Sequence, residues 1–196
     1  MEIDTEVVNL LADTAQAETS ESLTWSRVCP IGVSKQEHYA GFGEIINIGK
    51  QIVYDRTRKF MPTYIIIASD ILPVIQFVPG FTAAPTTEIS GPYFAGSVYG
   101  LKVFVSPALA AGKFVLGVNG SDAMTSAAVY APYMPIVPTQ LLGFADGGMS
   151  QGFSTLYDLK VLNSKLLVMG TVTGASSAYV AGTQASQVYN MAGTQA

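Results

Sequence analysis

Residues 34–68 read SKQEHYAGFGEIINIGKQIVYDRTRKFMPTYIIIA, and this stretch decides the fold. It opens on a helix start signal. Ser34 and Glu37 have the S-x-x-E spacing of a capping box, in which each side chain can satisfy a backbone amide of the first turn. Phe42, Ile45, Ile46, Ile52 and Val53 then recur on one face, and Gly49 leaves a slot there for close packing. Glu37 and Glu44 come early while Arg56, Arg58 and Lys59 come late, the order that the helix dipole favours. Asp55 and Lys59 stand four apart, as a solvated ion pair would. Pro62 is expected to stop the helix, which spans 34–60. Tyr64-Ile65-Ile66-Ile67-Ala68 follows, apolar at successive rather than alternate positions, and so reads as a central strand covered on both faces.

Outward from this unit the pattern continues to alternate between helix and strand. Downstream, Ser69 or Asp70 is expected to cap a short helix over 70–77, with Pro73 tolerated in its first turn. A Gly/Pro/Thr-rich loop is expected over 79–92. Strands are expected at Lys102–Val105, Phe114–Val118, Val129–Val137, Phe153–Val161 and Leu166–Thr173, punctuated by Gly100, Gly112, Gly120 and Gly147-Gly148. Asn163-Ser164 could be the two-residue turn joining the last two. Upstream, Ile3, Val7, Leu10, Leu11 and Thr14 predict a helix over 2–15, after which 16–33 is polar and irregular. From Gly174 the chain is small and polar, with Ala-Gly-Thr-Gln-Ala at 181–185 and again at 192–196, and reads as a flexible or partner-ordered tail. The whole is an α+β domain: a mixed sheet flanked by the 34–60 and 70–77 helices, with a strand-rich C-terminal return.

Composition narrows the function. Charged residues make up 12% of the 196, about half the usual share, while hydrophobic residues reach 49%. Much of the surface of such a chain is expected to lie against other subunits, because sparse charge marks interface cores. The net charge of −4 argues against nucleic acid or an anionic membrane as the main partner. The greasiest stretch, Tyr64 to Val78, is interrupted by Ser69, Asp70, Pro73 and Gln76 and falls short of the ~20 residues of a spanning helix. The acidic opening, Glu2, Asp4 and Glu6, lacks the basic residues of a signal peptide, so a soluble cytoplasmic product is expected.

The residues for chemistry are sparse. His38 and Cys29 each stand alone of their type, so a disulfide within the chain and any site of two histidines are excluded. A Cys29–His38 nucleophile pair is conceivable, but Cys29 packing beside Pro30 and His38 as a first-turn residue is the favoured reading. Neither a metal nor a cofactor is expected. Gly41-Phe42-Gly43 lacks the third glycine of a dinucleotide fingerprint, and Gly143 to Gly152 lacks the Lys-Ser/Thr that would hold phosphate. Asp122, Asp146 and Asp158 are well separated. Tyr130, Tyr133 and Tyr157 could line a sugar-binding face, although aromatic residues in strands more often pack.

From Glu2 to about Thr173 the order of segments resembles the C-terminal part of T-even-like phage major capsid proteins, which have the Hong Kong-type fold. Glu2-Ile3-Asp4-Thr5-Glu6-Val7-Val8 is similar to the end of that family's spine helix, and Tyr39-Ala40-Gly41 to Arg56, with Ile66-Ile67-Ala68-Ser69, to the first helix and strand of its axial domain. Tyr99 to Val105 and Phe114-Val115-Leu116-Gly117 resemble its next strands. Tyr130-Ala131-Pro132-Tyr133-Met134-Pro135 resembles its Ala-Pro-Tyr-x-Pro segment, followed at the family's interval by Gly152-Phe153 and Tyr157. Leu156 departs from the family, which usually carries a basic residue before that tyrosine.

The resemblance implies the end of the spine helix and a loop at 1–33, an axial domain at 34–140, returning peripheral strands at 141–175 and a tail at 176–196. It implies a structural, non-enzymatic subunit that packs with copies of itself in an icosahedral phage or prophage shell, located in the virion and assembled in the host cytoplasm. The family's N-terminal arm, extended loop and most of its spine helix would precede Met1, so the chain by itself is expected to be a monomer or small oligomer. Without the extended loop no lysine–asparagine crosslink can be assigned. The loops at 79–92 and 119–126 are candidates for surfaces near a capsomer axis, with Pro79, Phe81, Thr86, Thr87, Asn119 and Asp122 as contact residues. The alternatives are an encapsulin-like compartment shell, which shares the architecture, a carbohydrate-binding module, and an enzyme with Cys29 as nucleophile.

Overall fold

The computed structural model describes residues 2–18, 23–30, 32–84, 93–143 and 148–174. Its centre is the strand the sequence marks as doubly covered. β2 (Tyr64–Ala68) is the fourth of seven strands in one mixed sheet, whose order is β1-β11-β6-β2-β5-β4-β3. The flanking strands are β1 (Leu23–Ser26), β11 (Leu167–Thr173), β6 (Lys113–Gly117), β5 (Leu101–Ser106), β4 (Tyr93–Val98) and β3 (Phe81–Ala83). β2 runs parallel to β5 and antiparallel to β6.

Helices cover both faces. Ile65 and Ile67 pair with Leu116 and Phe114, so all four point to one side, and all four are fully buried. On that side lies α2 (Lys35–Thr57). Phe42 meets Phe114 edge to face at 5.5 Å. Gly49 lies so close to the sheet that a β-carbon there would come within 2.3 Å of Leu116 Cδ1, which is the slot its sequence position predicted. Tyr64 and Ile66 point to the opposite face, where α1 (Glu2–Glu18) packs against β11 and buries Leu11, Ala12 and Ala15.

Several local expectations are corrected. Ser34 caps α2 by accepting the Glu37 N–H at 3.2 Å, but among the described residues Glu37 makes no return bond, so the box is half formed. α2 ends at Thr57, where Arg58 turns into the left-handed region at φ 54 and its N–H donates to the Tyr54 carbonyl. Pro62 therefore lies beyond the stop rather than causing it. Asp55 and Lys59 form no ion pair; Lys59 Nζ sits 5.3 Å from the Phe60 ring centre instead. Neither Ser69 nor Asp70 caps the short helix α3 (Leu72–Gln76). The Asp70 carboxylate instead accepts the Gly112 N–H at 2.9 Å and ties the end of β2 to the turn before β6. α1 runs three residues further than expected, to Glu18.

The stretches expected to be irregular hold two more strands, and a third follows the second of them. β1 lies within 16–33, β3 lies within the expected loop at 79–92, and β4 follows it. β4 and β5 form a hairpin whose turn residues, Tyr99 and Gly100, both have positive φ, at 48° and 80°. Lys50 Nζ donates to the Tyr99 carbonyl at 2.6 Å, fastening that turn to α2. Asn163-Ser164 is not a hairpin turn. Asn163 accepts the Lys165 N–H and starts a short 3-10 turn, which carries the chain from a separate ribbon back into the main sheet.

Candidate assembly surface

The separate ribbon is the most unusual surface of the molecule. β7 (Ala128–Pro138) pairs antiparallel with β10 (Phe153–Val161), and the two make a sheet by themselves. Beyond it β8 (Leu142–Gly143) pairs with β9 (Met149–Ser150). The ribbon leaves the body where the Ala127 N–H donates to the Val118 carbonyl and the Leu162 N–H returns to the Ala127 carbonyl.

Its chemistry is unlike that of a solvated arm. Every residue from Tyr130 to Leu142 is exposed. Tyr133 is 82% exposed, Met149 75%, Phe153 72% and Ile136 68%. Between Ala128 and Pro138 there is no charged side chain. Beyond its root, where Tyr157 meets Glu6 of α1, the ribbon has no second layer among the described residues, and an isolated ribbon is marginal in water. Large side chains on both faces of such a ribbon mark an interaction site.

β7 also has an edge unsuited to further pairing. Pro132, Pro135 and Pro138 remove three N–H donors, and register shifts at Ser154/Leu156 and Leu156/Tyr157 bend the pairing. These prolines are the signal that could have marked the segment as an edge strand from sequence. The exposed residues Ile136, Leu141, Leu142 and Met149 were not singled out there, because apolar content is equally consistent with a core.

Four of the sequence-derived contact residues lie at one end of the main sheet. Phe81 pairs with Val98, Val98 with Leu101, and Tyr64 with both Lys102 and Gly117. Pro79 and Phe81 thus lie at the same sheet end as Asn119 and Asp122, four strands across, and the ribbon springs from that end too. Pro79 is exposed and Phe81 half-buried against the core. The Asn119 N–H donates to Thr63 Oγ1 at 2.8 Å, and Asp122 caps the 3-10 turn Ala123–Thr125, on which Met124 is 87% exposed. Thr86 and Thr87 lie outside the described residues.

The rival sites are not assembled in the same way. His38 stacks on Trp25 at 4.8 Å, and its Nε2 lies 2.8 Å from the Ser26 carbonyl oxygen. Cys29 Sγ is directed to the Val33 carbonyl at 3.3 Å. The two groups therefore have separate partners. Tyr130 and Tyr157 come within 5.7 Å, but the Tyr157 hydroxyl donates to Glu6 of α1, and Tyr133 joins no ring contact among the described residues. No cluster of three metal-ligating side chains occurs among the described residues, and none of the described helices is long and apolar enough to cross a membrane.

A cleft of about 370 Å³ lies between α1, the less covered sheet face and the root of the ribbon. Val7, Leu11, Ile66, Phe104 and Tyr130 line it, with Asp4 and Lys160 also on its wall. Burial at this junction pushes the Tyr64 phenol up to about 12.

Comparison with known proteins shows the family and the fold. The sequence pattern of the family described as major capsid protein Gp23 matches residues 1–192. No curated protein sequence gives a match. Among solved structures, a chain from Mycobacterium phage Che8 is similar with a TM-score of 0.53 at 12% identity, over 89% of this chain and 58% of that one. A virus-like particle from Pyrococcus furiosus is similar with a TM-score of 0.51 at 11% identity, over 86% of this chain and 61% of that one. At such identity the likeness is one of fold, and the chain spans about three-fifths of the length of these structures.

Proposed function

The chain belongs to the major capsid protein Gp23 family, with the Hong Kong-type fold, and from that premise we propose that it packs with copies of itself to build an icosahedral phage or prophage head. The observation that supports this role most directly is the ribbon, whose β7 strand carries no charge and is exposed from Tyr130 onward with no cover among the described residues. Capsid packing supplies such a cover without further chemistry. The fold alone does not separate this reading from an encapsulin-like compartment shell, which shares the architecture; the family does.

Finer parts of the proposal follow from the same surface. The end of the spine helix and its loop occupy 1–33, the axial domain 34–140, the returning strands of the peripheral domain 141–175 and the tail 176–196. Pro79, Phe81, Asn119 and Asp122 lie on the rim facing the capsomer axis, while Thr86 and Thr87, named with them from the sequence, lie outside the described residues. The working location is the virion capsid, after assembly in the host cytoplasm. By itself the chain is a monomer or small oligomer, since the ribbon and rim offer contacts but no lock. A sugar-binding role is less well supported, because the Tyr157 hydroxyl is held by Glu6.

Peptide mass spectrometry of particles induced from the host that carries the gene tests the proposal. Peptides of this chain are expected to dominate the particle protein. Their absence from purified particles would overturn the shell-building role. Electron micrographs of the chain alone test its oligomeric state, and closed shells of uniform diameter would refute the small-oligomer reading.

A further inference from the structure

The sheet face that carries α1 is only partly covered. α1 packs over β11 and β6. Beyond it the face continues through Ile66 of β2, Phe104 of β5 and Phe94 of β4, cross-strand neighbours that stay half-buried, with the two phenylalanine rings 5.6 Å apart. The cleft of about 370 Å³ lies where this face meets α1, and Val7, Leu11 and Tyr130 wall it. An apolar cavity of roughly 150 Å³ holds one benzene ring, so the cleft has room for two or three large apolar side chains. An apolar sheet face is stable when a second layer covers it.

The chain itself carries a segment suited to that place. β11 ends on Thr173 at the same end of the sheet as Ala68 of β2 and Ser106 of β5, and Ser106 lines the cleft there. β11 and β5 are three strand spacings apart, roughly 14 Å. Past Gly174 the sequence runs on through 175–196, outside the described residues, and a few extended residues suffice to cross that gap. Residues 175–196 include no Asp, Glu, Lys or Arg, so seating them against an apolar wall strips water from no charge. Their large apolar residues come in two groups, Tyr179-Val180 and Val188-Tyr189 with Met191, and the second group suits the capacity of the cleft. The family pattern also extends past Gly174 to residue 192 and takes in both groups. Residues 85–92 leave the sheet at the same end, but they carry Glu88 and are tethered by a strand on each side. The ribbon tip at Leu141 lies 11 residues beyond Tyr130 of the cleft wall, roughly 35 Å of strand, too far to fold back. We infer that Val188, Tyr189 and Met191 of the same chain fill the cleft and complete the second layer beside α1. The ribbon and the rim then remain as the surfaces open to other copies.

Thiol crosslinking of the full chain tests this. In a Cys29→Ser background, one cysteine replaces Ser106 on the cleft wall and another replaces Gln187 beside the anchors. The control pair combines Gln187→Cys with Glu44→Cys on the exposed side of α2. A short bismaleimide is expected to join 106 to 187 within one chain at least about tenfold faster than 44 to 187, because a seated segment has a high effective concentration at the cleft. Adding Tyr189→Asp should bring that rate down to the control's. Equal rates for the two pairs, or a rate indifferent to Tyr189→Asp, would sink the inference. Linked dimers in place of linked monomers, told apart by mass, would also end it and would assign the cleft to the same segment of a second copy. The shell-building role stands or falls separately, on the content of purified particles.

Discussion

β2 and β7 are both apolar strands, yet Ile65 and Ile67 of β2 are fully buried while every residue of β7 from Tyr130 onward is exposed. The difference lies in their neighbours. β2 has a strand on each side and α2 over one face, so Ile65 and Ile67 leave water as the domain folds. Beyond its root β7 has one partner strand and, among the described residues, no layer above or below, so its side chains remain in water until something else covers them. Apolar sequence thus serves two ends in one chain, stability in the sheet and association in the ribbon.

The comparison breaks most readily on matched aromatic truncations. Phe114→Ala empties a fully buried site under α2 and is expected to cost about 3–5 kcal/mol by urea denaturation. Phe153→Ala, at a residue 72% exposed, is expected to fall within about 0.5 kcal/mol while reducing incorporation into particles. Equal costs at the two sites would mean that the ribbon is part of the folding core.

Alkaline titration sharpens the boundary between the two regions at Tyr64, where sheet and ribbon root meet. Burial raises its phenol from 10.0 to about 12, so the folded state keeps a proton that the unfolded state gives up. Stability is then intact below pH 10 and declines as pH climbs from 10 to about 12, by roughly 2–3 kcal/mol. Tyr64→Phe should remove most of that decline in denaturation curves taken at successive pH values. A decline unchanged in the variant would place its origin elsewhere. The smallest effect belongs to the helix start. Ser34→Ala removes the bond to the Glu37 N–H and is expected to cost about 1 kcal/mol, with no change in association.

The elements legible in advance were those with strong local causes. The 34–68 stretch carries a cap, a one-faced stripe and a strand without polar interruption, and α2 and β2 appear where these place them. β1, β3 and β4 escaped notice because their signals are weak: four residues in a polar stretch, three in a Gly/Pro/Thr-rich loop, and a six-residue strand interrupted by Gly96. Of the proposed contact residues, Pro79, Phe81, Asn119 and Asp122 were named from loop composition. Their position on one rim, beside the root of the ribbon, came from strand register.

By itself the sequence determined the α+β class, the central strand and, through its ordered motifs, the family. These depend on contacts between near neighbours along the chain, which periodicity and capping record directly. Only the tertiary structure decided which apolar strands are covered. Burial depends on what packs across a face, and residues far apart in the chain, such as Ile67 and Phe114 or Tyr157 and Glu6, supply that cover.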